Sequence, residues 1–424
     1  MTILELFSVT VTMAALFGWL SKRWLRLPLT IGSMLLTVVA SLTLVGASNI
    51  WPGLKTWATM VLGAISFENL ILHGILSVLL FAGAFLLDIE ALFKENLSIA
   101  LLSVIGTIAS TLVTAGLLFV VLPLLGIHGP FIDCLLFGAL ISPTDPIAVL
   151  EMLKRVGAPK FIQAQLAGES LFNDGVGAVI FLALLEASRG AAPTPVHFLI
   201  LLTIEAGGGL ALGVALAWLT SLLMRETQSH QIELLLTLSL ATGGYALADY
   251  WHISAPLAAV AAGISLRRFS HRHPIIGDST ERIDTFWEVI DEVMNIILFV
   301  LVGFEVLAIP FSHLPIEIGA ISVIIVTGTR FTVIAVLISA LRAVKKGFRS
   351  SIRILGWGGL RGGLSLALAL SVPNRPGRTW ILVATYSVVL VSIVVQGSSM
   401  EWVLKKLLKD EEPASKDESI QGIS

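Results

Sequence analysis

Two short strings place ionisable and hydroxyl side chains inside stretches that are otherwise apolar. The first is Ile141-Ser142-Pro143-Thr144-Asp145-Pro146. Its two prolines bracket Thr144 and Asp145, remove backbone donors and free carbonyls from any helix they interrupt. The second is Gly168-Glu169-Ser170-Leu171-Phe172-Asn173-Asp174-Gly175, in which Glu169 and Asn173, and likewise Ser170 and Asp174, are four apart. That spacing gathers all four polar side chains into one stripe on a helix. If the stripe faces Thr144 and Asp145, three carboxylates converge, and such a group must be protonated, paired with a cation or bridged by an ion. Carboxylate, hydroxyl and carbonyl oxygens suit a hard monovalent cation. A carboxylate that holds either a cation or a proton would make the two compete for one site, with Asp174 and Asp145 supplying charge and Ser170 and the Thr144 carbonyl completing the shell. The alternative reading of the same residues is a structural hydrogen-bond network.

A second interruption lies at Trp357-Gly358-Gly359-Leu360-Arg361-Gly362-Gly363. Paired glycines suit unwound backbone or a close crossing, but tight packing alone does not account for Arg361, which is expected to support the broken helices. Arg330, in Thr327-Gly328-Thr329-Arg330-Phe331, is the other cation inside an apolar stretch. Unpaired at membrane depth it would cost several kcal/mol, so it should meet an acid, with Glu169 the best candidate. Asp88, Glu90, Glu288, Asp291 and Glu292 lie near the ends of apolar stretches, where side chains reach water. Glu205 and Glu305 are more deeply placed, with structural and functional roles equally open. His271 and His273 flank Arg272 and read as a solvated basic turn.

The elements that carry these residues follow from composition. Of 424 residues, 56% are hydrophobic and 13% charged, against about a quarter charged in a soluble domain. This describes an all-α polytopic membrane protein. A net charge of -2 gives no reason to invoke nucleic acid, and the lone Cys134 excludes an intramolecular disulfide framework or a multi-cysteine metal site. Charge clusters and Pro/Gly breaks delimit thirteen apolar segments, at 3–20, 27–46, 70–91, 97–125, 131–153, 161–187, 196–223, 231–249, 254–267, 286–308, 316–341, 352–373 and 380–404. Residues 51–69 are ambiguous. The first segment starts without a leading basic cluster, unlike a cleavable signal peptide. Assigning the N-terminus to the outside gathers most of the 27 Lys and Arg on the cytoplasmic face and leaves Lys55, Arg189, Arg375 and Arg378 on the other, as the positive-inside rule requires. The expected organisation is a membrane domain over 1–409 and a short, polar, disordered cytoplasmic tail over 410–424. No attached catalytic or regulatory domain is expected. The interrupted segments are the fifth and twelfth, seven apart. An odd offset inverts the second copy, the signature of a transporter with inverted repeats and a site near the midplane.

In order and spacing, the strings Ser142-Pro143-Thr144-Asp145-Pro146, Gly168 to Gly175, Phe286-Trp287-Glu288 leading to Val302-Gly303-Phe304-Glu305, and Gly358 to Gly363 resemble the cation/proton antiporter superfamily. The similarity is to the branch of bacterial NhaP-type sodium/proton antiporters and animal sodium/proton exchangers. It implies thirteen transmembrane helices with two interrupted helices crossing at the midplane, and a homodimer in which a core moves against a dimerisation part, the two interleaved in sequence. It further implies that Asp174 carries Na⁺ and H⁺ in turn, that Thr144, Asp145 and Ser170 belong to the ion site, and that Glu169 pairs with Arg330. Asn173 before Asp174 resembles the electroneutral branch, whereas electrogenic relatives have two adjacent aspartates. The chain lacks the long tail of the animal exchangers, which points to a bacterial plasma membrane (the inner membrane) and away from regulation by such a tail; the resemblance itself implies a role in pH homeostasis.

On this reading the chain is not an enzyme, uses no cofactor, and takes Na⁺, Li⁺ or K⁺ with H⁺ as its transported partners in the lipid bilayer. A K⁺/H⁺ antiporter of the same fold and a cation channel are the alternatives, the latter separated by saturable, proton-coupled flux. An intramembrane hydrolase is disfavoured, because His73, His128, His197, His252 and His313 fall near segment ends without a nucleophile motif.

Overall fold

The computed structural model describes residues 3–25, 29–48, 70–188, 195–227, 229–272, 279–305, 316–342 and 351–409. Among them every one of the thirteen apolar segments is helical, and no strand is present beyond one isolated bridge. The helices are α1 (Ile3–Leu20), α2 (Leu29–Ser48), α3 (Leu76–Phe85), α4 (Ile89–Lys94), α5 (Asn96–Leu125), α6 (Phe131–Ile141), α7 (Ile147–Val156) and α8 (Lys160–Ala187). They continue with α9 (Pro195–Glu226), α10 (His230–Tyr250), α11 (Ala255–Arg272), α12 (Ser279–Glu305) and α13 (Ile316–Arg342), then α14 (Ser351–Trp357), α15 (Gly363–Leu370), α16 (Arg378–Val391) and α17 (Ser398–Lys409). By length and apolarity alone, five unbroken helices among the described residues can cross a bilayer, and α8 is one of them. The ambiguous 51–69, the tail 410–424, His273 and His313 lie outside the described residues, as do the side chains of His73, His197, His271 and Glu305.

The fifth and twelfth apolar segments are each two helices, α6 with α7 and α14 with α15, separated by short non-helical stretches at 142–146 and 358–362. At the first, Pro143 and Pro146 deny the backbone two donors. At the second, the glycines remove side chains from a place other groups must enter. The helix α12 starts at Ser279, seven residues before the apolar stretch expected from 286. Its first two turns are too charged to register as membrane segment, yet Ile283 is buried and Asp284 forms an ion pair with Arg267 of α11.

Packing around the interruptions is close. The helix α6 lies so near α5 that a Cβ at Gly138 would overlap the Thr111 carbonyl, and Gly213 of α9 stands equally near the Ala258 carbonyl of α11. Trp287 of α12 is fully buried against Phe81 of α3, with ring centroids 4.8 Å apart. Its indole N–H donates to Thr237 Oγ1 of α10 at 3.1 Å, which satisfies the polar edge of a large buried ring. The helix α8, which carries the polar stripe, packs on α6 and α11.

Because backbone cannot yield as a flexible side chain does, Gly138→Ala should destabilise the fold by about 1 to 3 kcal/mol through overpacking. Thermal unfolding in detergent should show a lowered midpoint for this variant, while Gly116→Ala, at a position of α5 with nothing within 4 Å of the added carbon, should leave it unchanged.

Candidate functional site

The two interruptions cross each other. The Asp145 N–H donates to the Leu360 carbonyl at 2.7 Å, and this pair is the isolated antiparallel bridge. Two residues of extended backbone thus satisfy one another where neither belongs to a helix. Arg361 closes the other side. Its Nη1 donates to the carbonyls of Ser142 at 2.5 Å and Pro143 at 3.0 Å, just past the C-terminal end of α6. A guanidinium there also opposes the negative end of the α6 dipole. At the opposite lip, Asp145 Oδ1 accepts the N–H of Ile147, the first residue of α7, at 3.0 Å, so an anion sits at the positive end of a helix. The Arg361 N–H is taken by Ser392 Oγ at 3.0 Å, and Ser392 in turn donates to Gln396 Oε1 at 2.7 Å.

The glycines of the second break serve this crossing. A Cβ at Gly362 would run into the Asp145 side chain, and one at Gly359 would run into the Arg330 guanidinium. Both charged groups occupy space that only glycine leaves open.

The stripe on α8 meets the first break directly. Thr144 N–H donates to Asn173 Oδ1 at 3.1 Å, Asn173 Nδ2 donates to Thr144 Oγ1 at 2.8 Å, and the Thr144 and Ser170 hydroxyls are hydrogen-bonded at 2.9 Å. Asn173 Nδ2 also reaches Glu169 Oε1 at 3.4 Å. Both ends of the Asn173 amide are therefore committed to holding the break against α8. Glu169, 0% exposed, receives Arg330 Nη1 on Oε1 at 2.5 Å and Nη2 on Oε2 at 2.8 Å. Arg330 Nη2 further donates to the Leu355 carbonyl of α14 at 3.3 Å. This forked pair joins α8, α13 and the second interrupted helix.

Asp174 differs from its neighbours. It stands within electrostatic range of Asp145, Glu169 and Arg361, is partly exposed, and accepts no hydrogen bond from the described residues. Of the three clustered acids, Glu169 has both oxygens held and Asp145 has one held, whereas neither Asp174 oxygen takes a hydrogen bond from the described residues. The arrangement can bind a hard cation through carboxylate and hydroxyl oxygens.

Some participants carry no sequence signal of their own. Ser392 and Thr111, the latter 3.2 Å from the Ser142 hydroxyl, look like ordinary hydroxyls of apolar helices. Asp133 in the first turn of α6 is buried and pairs with Arg375 Nη2 at 2.8 Å, tying α6 to the loop after α15. Among the acids expected to reach water, Glu288 and Glu292 are exposed, but Asp291 is only partly so and stands in electrostatic range of Asp145. Glu205 is half-buried on α9, with Glu186 as its charged neighbour.

A helical bundle in which two interrupted helices cross beside a buried polar cluster defines a multi-pass membrane protein of the transporter class. The model of the sodium/hydrogen exchanger transmembrane family matches residues 11–406, and the chain belongs to that family, a family of transporters and not of enzymes. The chain is 42% identical over 414 residues to the Na(+)/H(+) antiporter NhaP of Pseudomonas aeruginosa, covering 95% of this chain and 97% of that one. It is 30% identical to the Na(+)/H(+) antiporter NhaH of Halobacillus dabanensis over 80% of this chain and 84% of the relative. Among solved structures, the sodium proton antiporter MjNhaP1 of Methanocaldococcus jannaschii has the same fold, with a TM-score of 0.74 at 20% identity over 95% of this chain and 97% of that chain.

Removing either Glu169 or Arg330 alone strands a buried charge and should cost about 3 to 5 kcal/mol. The double replacement Glu169→Gln with Arg330→Gln should be less damaging than the two single losses added together, as read from a thermal-stability cycle on purified protein. Simple additivity would mean the pair contributes nothing as a pair.

Proposed function

We propose that this chain is a secondary active antiporter that exchanges Na⁺ for H⁺ across a bacterial plasma membrane by alternating access, with Asp174 as the exchanged carboxylate. The observation that carries this reading is the uncommitted Asp174 side chain beside a Glu169 already paired with Arg330 and an Asp145 that holds the first amide of α7. Deprotonated, Asp174 binds Na⁺ with help from the oxygens of Ser170, Thr144 and Asp145. Protonated, it needs no cation. Exchange follows if the loaded forms rock between the two faces and the bare, charged form does not.

The stoichiometry follows from the same charges. Asn173 supplies no titrating group, and Glu169 and Arg330 neutralise each other. The moving unit then carries the same net charge whether Asp174 holds Na⁺ or H⁺, which makes one-for-one, electroneutral exchange the reading we adopt. The excess of basic residues on one face supports an outside N-terminus and a cytoplasmic C-terminus. Homodimerisation and a division into moving core and dimerisation parts belong to the same proposal.

In proteoliposomes, Asp174→Asn should abolish Na⁺-driven proton movement while the purified protein keeps the wild-type melting profile, because the amide removes the charge with little change of volume. Wild-type rates in this variant would remove Asp174 from the role. Asp145→Asn should impair exchange as well, but with a lowered melting temperature, since the Asp145 charge also sits at the N-terminal start of α7. Clamping the liposomes at different membrane potentials should leave the reversal point of proton flux unchanged. A reversal point that moves with potential would mean that a second proton is carried, with Asp145 the first acid to examine.

A further inference from the structure

One buried polar group lies outside the cluster on α8. Asn295 of α12 is 0% exposed, its Nδ2 donates to the Asp291 carbonyl at 2.8 Å, and its Oδ1 has no hydrogen-bond partner. A buried amide oxygen without a donor costs about 1 to 3 kcal/mol. It is also the kind of ligand a hard cation uses.

The surroundings of that oxygen follow from helix geometry. Asp291, Asn295 and Leu298 are spaced four and three apart, so they lie along one face of α12. Leu298 packs where a Cβ at Gly363 would stand, and the adjoining Gly362 abuts the Asp145 side chain. The face carrying Asn295 is thus directed at the crossing of the interrupted helices. One turn away, the partly exposed Asp291 carboxylate is in hydrogen-bond reach of the Asn295 side chain and interacts electrostatically with Asp145, with Glu292 and Lys154 also in range. Glu288, one turn further out, is exposed. Along α12, oxygen-bearing side chains therefore descend from solvent to the crossing. They start at the end of the bundle where α7 terminates in Lys154 and Arg155. Two carboxylates that repel each other, with an unpartnered amide oxygen beside them, favour a cation between them.

We propose that Asp291 and Asn295, with Asp145 opposite, form a transit site for the monovalent cation on its way between the Lys154 face of the membrane and Asp174. This rests on the exchange reading above and adds a second station to it. The station belongs to α12, which packs on α1, α2 and α3, while Asp174 belongs to α8. A cation therefore passes from a ligand on one helix group to a ligand on the other. Because the station lies on one side of the crossing, it should affect access from one face only.

The test is the half-saturating Na⁺ concentration for Na⁺-driven proton movement by the full-length protein, measured separately in everted and in right-side-out membrane vesicles. Asp291→Asn should raise it about tenfold from one face, the loss expected for one unit charge acting through partly hydrated protein. From the other face it should stay unchanged, with the maximal rate within about twofold on both, and Asp291→Glu should restore the wild-type value. Asn295→Ala should raise it from the same face and serves as the second variant if Asp291→Asn does not reach the membrane. Unchanged half-saturation from both faces, or an equal rise from both, would overturn the transit site. Absence of exchange in the wild type would instead overturn the exchange reading itself.

Discussion

Broken backbone in the middle of a bilayer must find its hydrogen bonds within the protein, and much of this molecule is arranged around meeting that demand at two places at once. The interruption at 142–146 and the one at 358–362 do so by crossing, Asp145 N–H to Leu360 carbonyl. Arg361 then covers the carbonyls of Ser142 and Pro143, and Asp145 covers the amide that opens α7. Each half of the crossing thus supplies what the other lacks. The glycines at 359 and 362 follow from the same demand, because any side chain there would displace Arg330 or Asp145.

Most of the charge at the crossing is engaged by neighbouring groups. Glu169 is saturated by Arg330, Asn173 is locked to Thr144, and Asp145 shares its carboxylate with α7. What remains is Asp174, which takes no hydrogen bond from the described residues and stands in electrostatic range of Asp145, Glu169 and Arg361. In the exchange proposed above, this is the carboxylate that Na⁺ and H⁺ would share.

The sequence made much of this legible for physical reasons. An apolar background turns each polar residue into a signal, so the stripe on α8 and the Pro-bracketed break stand out. The high cost of an unpaired charge at membrane depth points from Arg330 to a buried acid. Less legible were groups whose importance depends on tertiary contact. Ser392 and Thr111 look like any helix hydroxyls until Arg361 and Ser142 are seen beside them. Asp291 reads as an end-of-span acid because its spacing does not reveal that its helix face turns toward Asp145. The early start of α12 was hidden by the charges of its first turns, which an ion pair with α11 holds in place.

If one carboxylate serves cation and proton in turn, the two must compete, and kinetics reveal that competition. With purified protein in liposomes, the half-saturating Na⁺ concentration should rise as pH falls, because protonated Asp174 cannot bind Na⁺, while the maximal rate at saturating Na⁺ stays the same. A half-saturation that does not depend on pH, with only the maximal rate changing, would contradict a shared site and would require separate binding places for the two ions.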